Sequence, residues 1–98
     1  MAYRLTVSDR ATREIGEAFE WYQEQQPGLG VEFLDALDVQ FQSIIRSPEL
    51  YAQTQRGIRR ALLARFPYGV FYAAKGEIIS VLAVVLTSRS PRRWPRQS

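Results

Sequence analysis

Residues 78–86 constrain this chain more than any other stretch. Ile78, Ile79, Val81, Leu82, Ala83, Val84, Val85 and Leu86 are apolar, and only Ser80 intervenes. A short run that is apolar at consecutive positions and rich in β-branched side chains suits a strand covered on both faces, in the middle of a sheet. The sequence changes character at Thr87, and residues 88–98 read SRSPRRWPRQS. A central strand is thus expected to deliver a cluster of arginines to the edge of the fold, where they can meet an acidic partner.

A chain of 98 residues is expected to form one domain, residues 1–98, with a modest core. No apolar run reaches the ~20 residues that a membrane-spanning helix needs. The opening residues MAYRLTV lack both a long apolar stretch and a small-residue cleavage site, so a cytoplasmic protein without a signal peptide is expected. Cysteine and histidine are both absent. That excludes thiol nucleophiles and thiolate metal sites, and removes the commonest general base and metal ligand. Carboxylates at helical spacing, such as Glu14/Glu17, Glu20/Glu24 and Asp35/Asp38, fall on polar helix faces, where they solvate. Gly28 and Gly30 are not followed by the Lys-Ser or Lys-Thr of a phosphate loop. No metal and no cofactor is expected.

Along the chain, residues 3–7 alternate Tyr3, Leu5 and Val7 against Arg4 and Thr6, the period of a half-buried strand. Ser8 and Asp9 cap a helix whose apolar stripe is Ala11, Ile15, Ala18, Phe19 and Tyr22. Trp21 lies one step off that stripe, at the edge of the core or in a protein interface. After Pro27-Gly28, a second helix over residues 29–46 places Phe33, Leu34, Leu37, Phe41, Ile44 and Ile45 on one side. Ser47-Pro48 stops it, and residues 49–57 form a polar connection without a period. Residues 58–66 and 68–74 are extended segments separated by Pro67, and Lys75-Gly76 turns the chain into the apolar run. The expected fold is α+β, ordered β-α-α-β-β-β, with a helical hairpin packed on a mainly antiparallel sheet.

Charge is divided between the two halves. Residues 1–49 hold four arginines against nine carboxylates, a net of −5, while residues 50–98 hold nine cations against Glu77 alone, a net of +8. Twelve of the thirteen cations are arginine, the side chain that grips carboxylate or phosphate in two places at once. Arg59, Arg60 and Arg65 fall on the first meander segment, and Arg89, Arg92, Arg93 and Arg96 follow the last, interleaved with Pro91, Trp94 and Pro95. If those strands are neighbours, the arginines make one cationic surface for phosphate or acidic protein.

Residues 57–94, GIRRALLARFPYGVFYAAKGEIISVLAVVLTSRSPRRW, resemble the C-terminal half of the RelE/ParE family of bacterial type II toxins. The shared pattern is a strand with paired arginines and leucines, a Phe-Pro-Tyr turn, an aromatic strand, a short turn, an apolar strand and an Arg-x-Pro ending. Phe33-Leu34, near the start of the second helix, also agrees. The resemblance implies a toxin silenced by a cognate antitoxin in a hetero-oligomer, and either of two activities: RelE-like cleavage of messenger RNA on the ribosome, or ParE-like action on DNA gyrase. In the nuclease reading Arg60, Arg65 and Arg89 would be the catalytic candidates. However, Leu62 and Gly69 stand where a nuclease would carry lysine and arginine, and no tyrosine follows Tyr72. ParE-like sequences commonly read His-x-x-Arg where this chain has Leu86-Thr87-Ser88-Arg89, which fits a grip better than acid–base chemistry. The resemblance thus points to a ParE-like inhibitor of gyrase that contacts its partner through Arg59, Arg60, Arg65, Arg89, Arg92, Arg93 and Trp94. A relative that has lost toxicity and only binds antitoxin is the remaining alternative.

Overall fold

The computed structural model describes residues 3–87. Its elements are β1 (Arg4–Val7), α1 (Asp9–Gln25), α2 (Leu29–Arg46), β2 (Gln53–Gln55), β3 (Ile58–Leu62), β4 (Tyr68–Lys75) and β5 (Ile78–Leu86). The strands lie in the order β1-β5-β4-β3-β2, with β1 parallel to β5 and the remaining pairs antiparallel. The two helices pack on one face, giving the expected α+β sandwich.

Ser8 caps α1 by accepting from the Ala11 N–H at 3.0 Å. Gly28, at φ 93°, makes the turn into α2 and carries no side chain to cap it. Gln23 of α1 supplies the missing acceptor: its Oε1 receives the N–H groups of Gly28 and Gly30 at 3.0 and 2.8 Å, satisfying donors that would otherwise be orphaned at the helix start. The helices approach so closely there that a Cβ on Gly30 would stand 2.6 Å from the Phe19 carbonyl oxygen.

The core joins Ala11, Ala18 and Tyr22 of α1 and Phe33, Leu37 and Ile44 of α2 to Ala61, Val70, Tyr72, Ile79, Val81 and Val84 of the sheet. Phe66, between β3 and β4, completes an aromatic cluster, meeting Tyr22 and Phe33 edge-on at 5.0 and 5.5 Å between centroids. Below the sheet's far end, buried Tyr72 donates its hydroxyl to the Pro48 carbonyl at 2.6 Å, while Ser43 and Tyr51 share a 2.7 Å hydrogen bond. These contacts fasten the loop after α2. Tyr72→Phe should therefore cost about 1–2 kcal/mol, the usual penalty for orphaning a buried acceptor. Burial pushes the Tyr72 hydroxyl up to about 12 from its ordinary 10.0, with Arg59 opposing the shift and Tyr51 adding to it. A value raised on folding adds stability that is whole below the unfolded value and is lost as pH rises through the folded one. Unfolding measured by circular dichroism should thus become easier between pH ~10 and ~12, and the decline should be shallower in the Phe variant.

Four expectations need correction. First, β5 is not covered on both faces: Ile79 and Val81 are buried under the helices while Ser80 is half-buried on the side without a helix. Phe71 pairs with Ala83 and Tyr72 with Val81, so Leu82 is an extra residue, and this β-bulge shifts the core-facing positions from odd to even numbers, bringing Val84 inward. The uninterrupted apolar run reflects that change of phase and a half-buried outer face. The middle of the sheet is β4. Second, β3 ends at Leu62; the chain then irregularly folds Leu63 and Phe66 into the core, with Arg65 at φ 75°. Third, the connection 49–57 contains β2, a three-residue edge strand recognised by backbone pairing of Gln53 with Arg59 and showing no apolar period because it buries nothing. Fourth, β4 separates β3 from β5, so the two arginine groups are not on neighbouring strands.

Candidate functional site

The helix-free face of the sheet carries the first group of residues. Cross-strand pairing sets Arg60 beside Phe71, Phe71 beside Ala83, and Leu62 beside Gly69. Arg60 is exposed. Gly69 forms the floor between Arg60 and Thr87: a Cβ there would lie 3.0 Å from Thr87 Cγ2 and 3.3 Å from Arg60 Cγ. A larger residue at 69 would push these neighbours apart. The five strands contain no carboxylate, whereas α1 and α2 hold most of the acidic residues. The acidic N-terminal half is thus largely the helical layer, and the sheet faces away from it with Arg4, Arg60 and Lys75. That polarity favours anionic partners on the open face and cationic ones on the helical face.

The other predicted arginines part company with Arg60. Arg59 points to the opposite side, donating to the carbonyls of Tyr51 at 2.6 Å and Glu49 at 3.4 Å. Arg65, in the β3–β4 connection, pairs with Glu32 of α2 at 2.6 Å and lies 5.3 Å over the Phe66 ring. Both ends of that ion pair are largely exposed, so it contributes little to stability. Arg89, Arg92, Arg93 and Trp94 lie outside the described residues.

A second feature escaped the sequence: a groove of about 550 Å³ between α1 and the end of β5, lined by Glu17, Trp21, Tyr22, Tyr68, Val84 and Leu86 among others. Its inner end is closed where α1 takes over from β1 along the β5 edge. Ser8 donates its N–H to the Val81 carbonyl at 3.0 Å and its hydroxyl to the Leu82 carbonyl at 3.1 Å. The Val84 N–H donates to Glu14 Oε1 at 2.9 Å, and Arg10 holds the other oxygen of that carboxylate at 2.9 Å. Past Val84 the edge is open. Tyr68 turns its N–H toward Phe66 and its carbonyl toward Leu63; its partner Leu86 therefore directs its own N–H and C=O away from β4, over the groove. Among the described residues nothing takes them.

Trp21 and Leu86 stand at the rim with 55% and 63% of their surface exposed. The off-stripe position of Trp21 was the one signal of this groove in the sequence, and the structure places the residue in solvent rather than in the core. Burial raises the hydroxyls of Tyr22 and Tyr68 above their ordinary value, Tyr68 adding to the shift of Tyr22. Both shifts move away from neutrality and so away from general-base duty.

A profile of the ParE toxin of the type II toxin–antitoxin system parDE matches residues 5–91. The chain belongs to the ParE toxin family. A solved structure of a chromosomal ParDE toxin–antitoxin system from P. aeruginosa has the same fold, with a TM-score of 0.77 at 17% identity, covering 88% of this chain and 97% of that one. No curated protein matches the sequence. In this ParE toxin Leu62 and Gly69, the two uncharged positions that the resemblance singled out, face each other across β3 and β4. No helix among the described residues is long and apolar enough to cross a membrane.

Proposed function

We propose that this ParE-family toxin inhibits DNA gyrase by binding it and is neutralised in the cytoplasm by a cognate antitoxin. The observation that carries this reading is the Leu62–Gly69 pair at the centre of the open face. Metal-free RNA cleavage needs a base for the 2′-hydroxyl, a charge for the phosphate and an acid for the leaving oxygen. Arg60 offers only the charge, and the two residues beside it offer no chemistry. An exposed guanidinium beside Phe71, with Arg89, Arg92, Arg93 and Trp94 following β5 in sequence, suits a grip on an acidic or phosphate-bearing surface. Arg59 and Arg65 support the loops around that grip.

The antitoxin is assigned to the groove between α1 and β5, where Trp21 and Leu86 offer apolar anchors and the acidic α1 favours a cationic segment. The test is purified gyrase titrated with the toxin, alongside mapping of transcript ends after induction. Loss of supercoiling with intact messages supports the reading; cut messages with normal supercoiling would replace it with a ribosome-dependent nuclease. Normal growth with abundant folded protein would leave a relative that only binds antitoxin. Arg60→Glu should weaken gyrase inhibition at least tenfold, a change of about 1.4 kcal/mol in binding, without altering the unfolding midpoint, since Arg60 is exposed.

A further inference from the structure

A second cavity, of about 330 Å³, lies at the end of the sheet between the β3–β4 connection and Thr87. We propose that it receives one apolar side chain of the target protein, beside a carboxylate of the same segment that Arg60 grips. The inference rests on the reading of this toxin as a binder of a protein target.

Leu62 is two positions from Arg60 on β3 and so projects to the same, helix-free face. With Thr87, Pro67, Leu63 and Tyr68 it lines the cavity. Gly69 connects this lining to the arginine: the place its Cβ would take is 3.0 Å from Thr87 Cγ2 and 3.3 Å from Arg60 Cγ. The wall of the cavity and the stem of Arg60 therefore stand on either side of bare backbone. Main-chain hydrogen bonds hold the walls in place. Thr87 donates its N–H to the Pro67 carbonyl at 3.0 Å, Leu63 to Tyr68 at 2.9 Å and Tyr68 to Phe66 at 2.8 Å. A cavity formed in advance lowers the ordering cost of binding.

Charge and ring packing favour a protein segment over a nucleic acid. Arg65 also borders the cavity, but Glu32 holds it at 2.6 Å, and this pair is neutral. Arg60 has no ion-pair partner among the described residues, so the site presents one uncompensated cation next to an apolar hole. A single carboxylate beside an apolar side chain matches that pattern. A nucleic-acid backbone, with a charge on every phosphate, would also meet the Glu32 carboxylate. Both aromatic rings of the lining pack inward, Phe66 and Tyr68 each against Tyr22 and Phe33, instead of forming the platform on which single-stranded bases stack.

The test titrates the isotopically labelled full-length toxin with small probes and follows its backbone amides by NMR. The probes are the end-blocked dipeptides Asp-Phe and Lys-Phe and the nucleotide thymidine monophosphate. Asp-Phe should shift the amides of Leu62, Gly69 and Thr87 and bind at least tenfold more tightly than either of the others. Leu62→Trp should fill the cavity and weaken Asp-Phe binding at least tenfold; Thr87→Trp fills it from the opposite wall and gives the same readout should the first variant fail to fold. Equal binding of the two dipeptides, or no shifts with Asp-Phe, would overturn the proposal, and a nucleotide that binds as tightly would replace it with a nucleic-acid site. In the supercoiling assay the folded variants should inhibit gyrase at least tenfold less than the unaltered toxin; undiminished inhibition would equally count against the cavity. Gyrase left active by the unaltered toxin would sink the proposed function alone, since the probe titration involves no gyrase.

Discussion

Phe66→Ala should destabilise the protein by about 4 kcal/mol, in the range seen when a buried phenylalanine is truncated. Small domains are stable by only ~5–15 kcal/mol in total, so the variant should unfold at a much lower urea concentration with an unchanged slope. Phe66 belongs to no strand or helix, yet it is 6% exposed and packs edge-on against Tyr22 and Phe33. Removing the ring leaves a cavity flanked by two other aromatic residues, Tyr22 and Phe33, whose rings are too rigid to collapse into it. A loss under about 1 kcal/mol would show that the β3–β4 connection merely lies against the core.

Gly30→Ala should be nearly as severe, at about 3 kcal/mol, the upper part of the range for overpacking. The added methyl would meet the Phe19 carbonyl oxygen and Gln23 Cγ, both at 2.6 Å. The first is helix backbone that cannot move alone, and the second belongs to the side chain that caps α2. Gly16→Ala is the informative control. It lies inside α1 with nothing within 4 Å of a Cβ, so the same substitution should stabilise by about 0.5–1 kcal/mol there. Equilibrium unfolding of the two variants should give opposite signs; a shared sign would refute the close helix crossing.

The helices were legible because a 3.6-residue stripe needs only local sequence. Residues 29–46 show the point, their predicted bounds coinciding with α2. The meander order was legible for the same reason, since Pro67 and Lys75-Gly76 punctuate it. What stayed hidden depends on long-range partners. The bulge at Leu82 exists because β1 ends at Val7 and α1 takes over its edge through Ser8 and Glu14, an arrangement spanning more than seventy residues. Arg59, Arg60 and Arg65 look alike in sequence, yet strand parity and one left-handed residue send them to loop carbonyls, solvent and Glu32 respectively. At the candidate site the uncharged Leu62 and Gly69 were readable, but their direct opposition required the register. The groove was readable only as one misplaced tryptophan.

The placement of β5 between β1 and β4 also bears on how the toxin is born. The first strand of the chain finds its only sheet partner in the last strand described, and the helices have no complete surface to cover until that strand arrives. Pairing so distant in sequence closes late and slowly. On a translating ribosome the sheet cannot be completed before residue 86 has left the exit tunnel. A truncated product lacking β5 would expose its core to proteases.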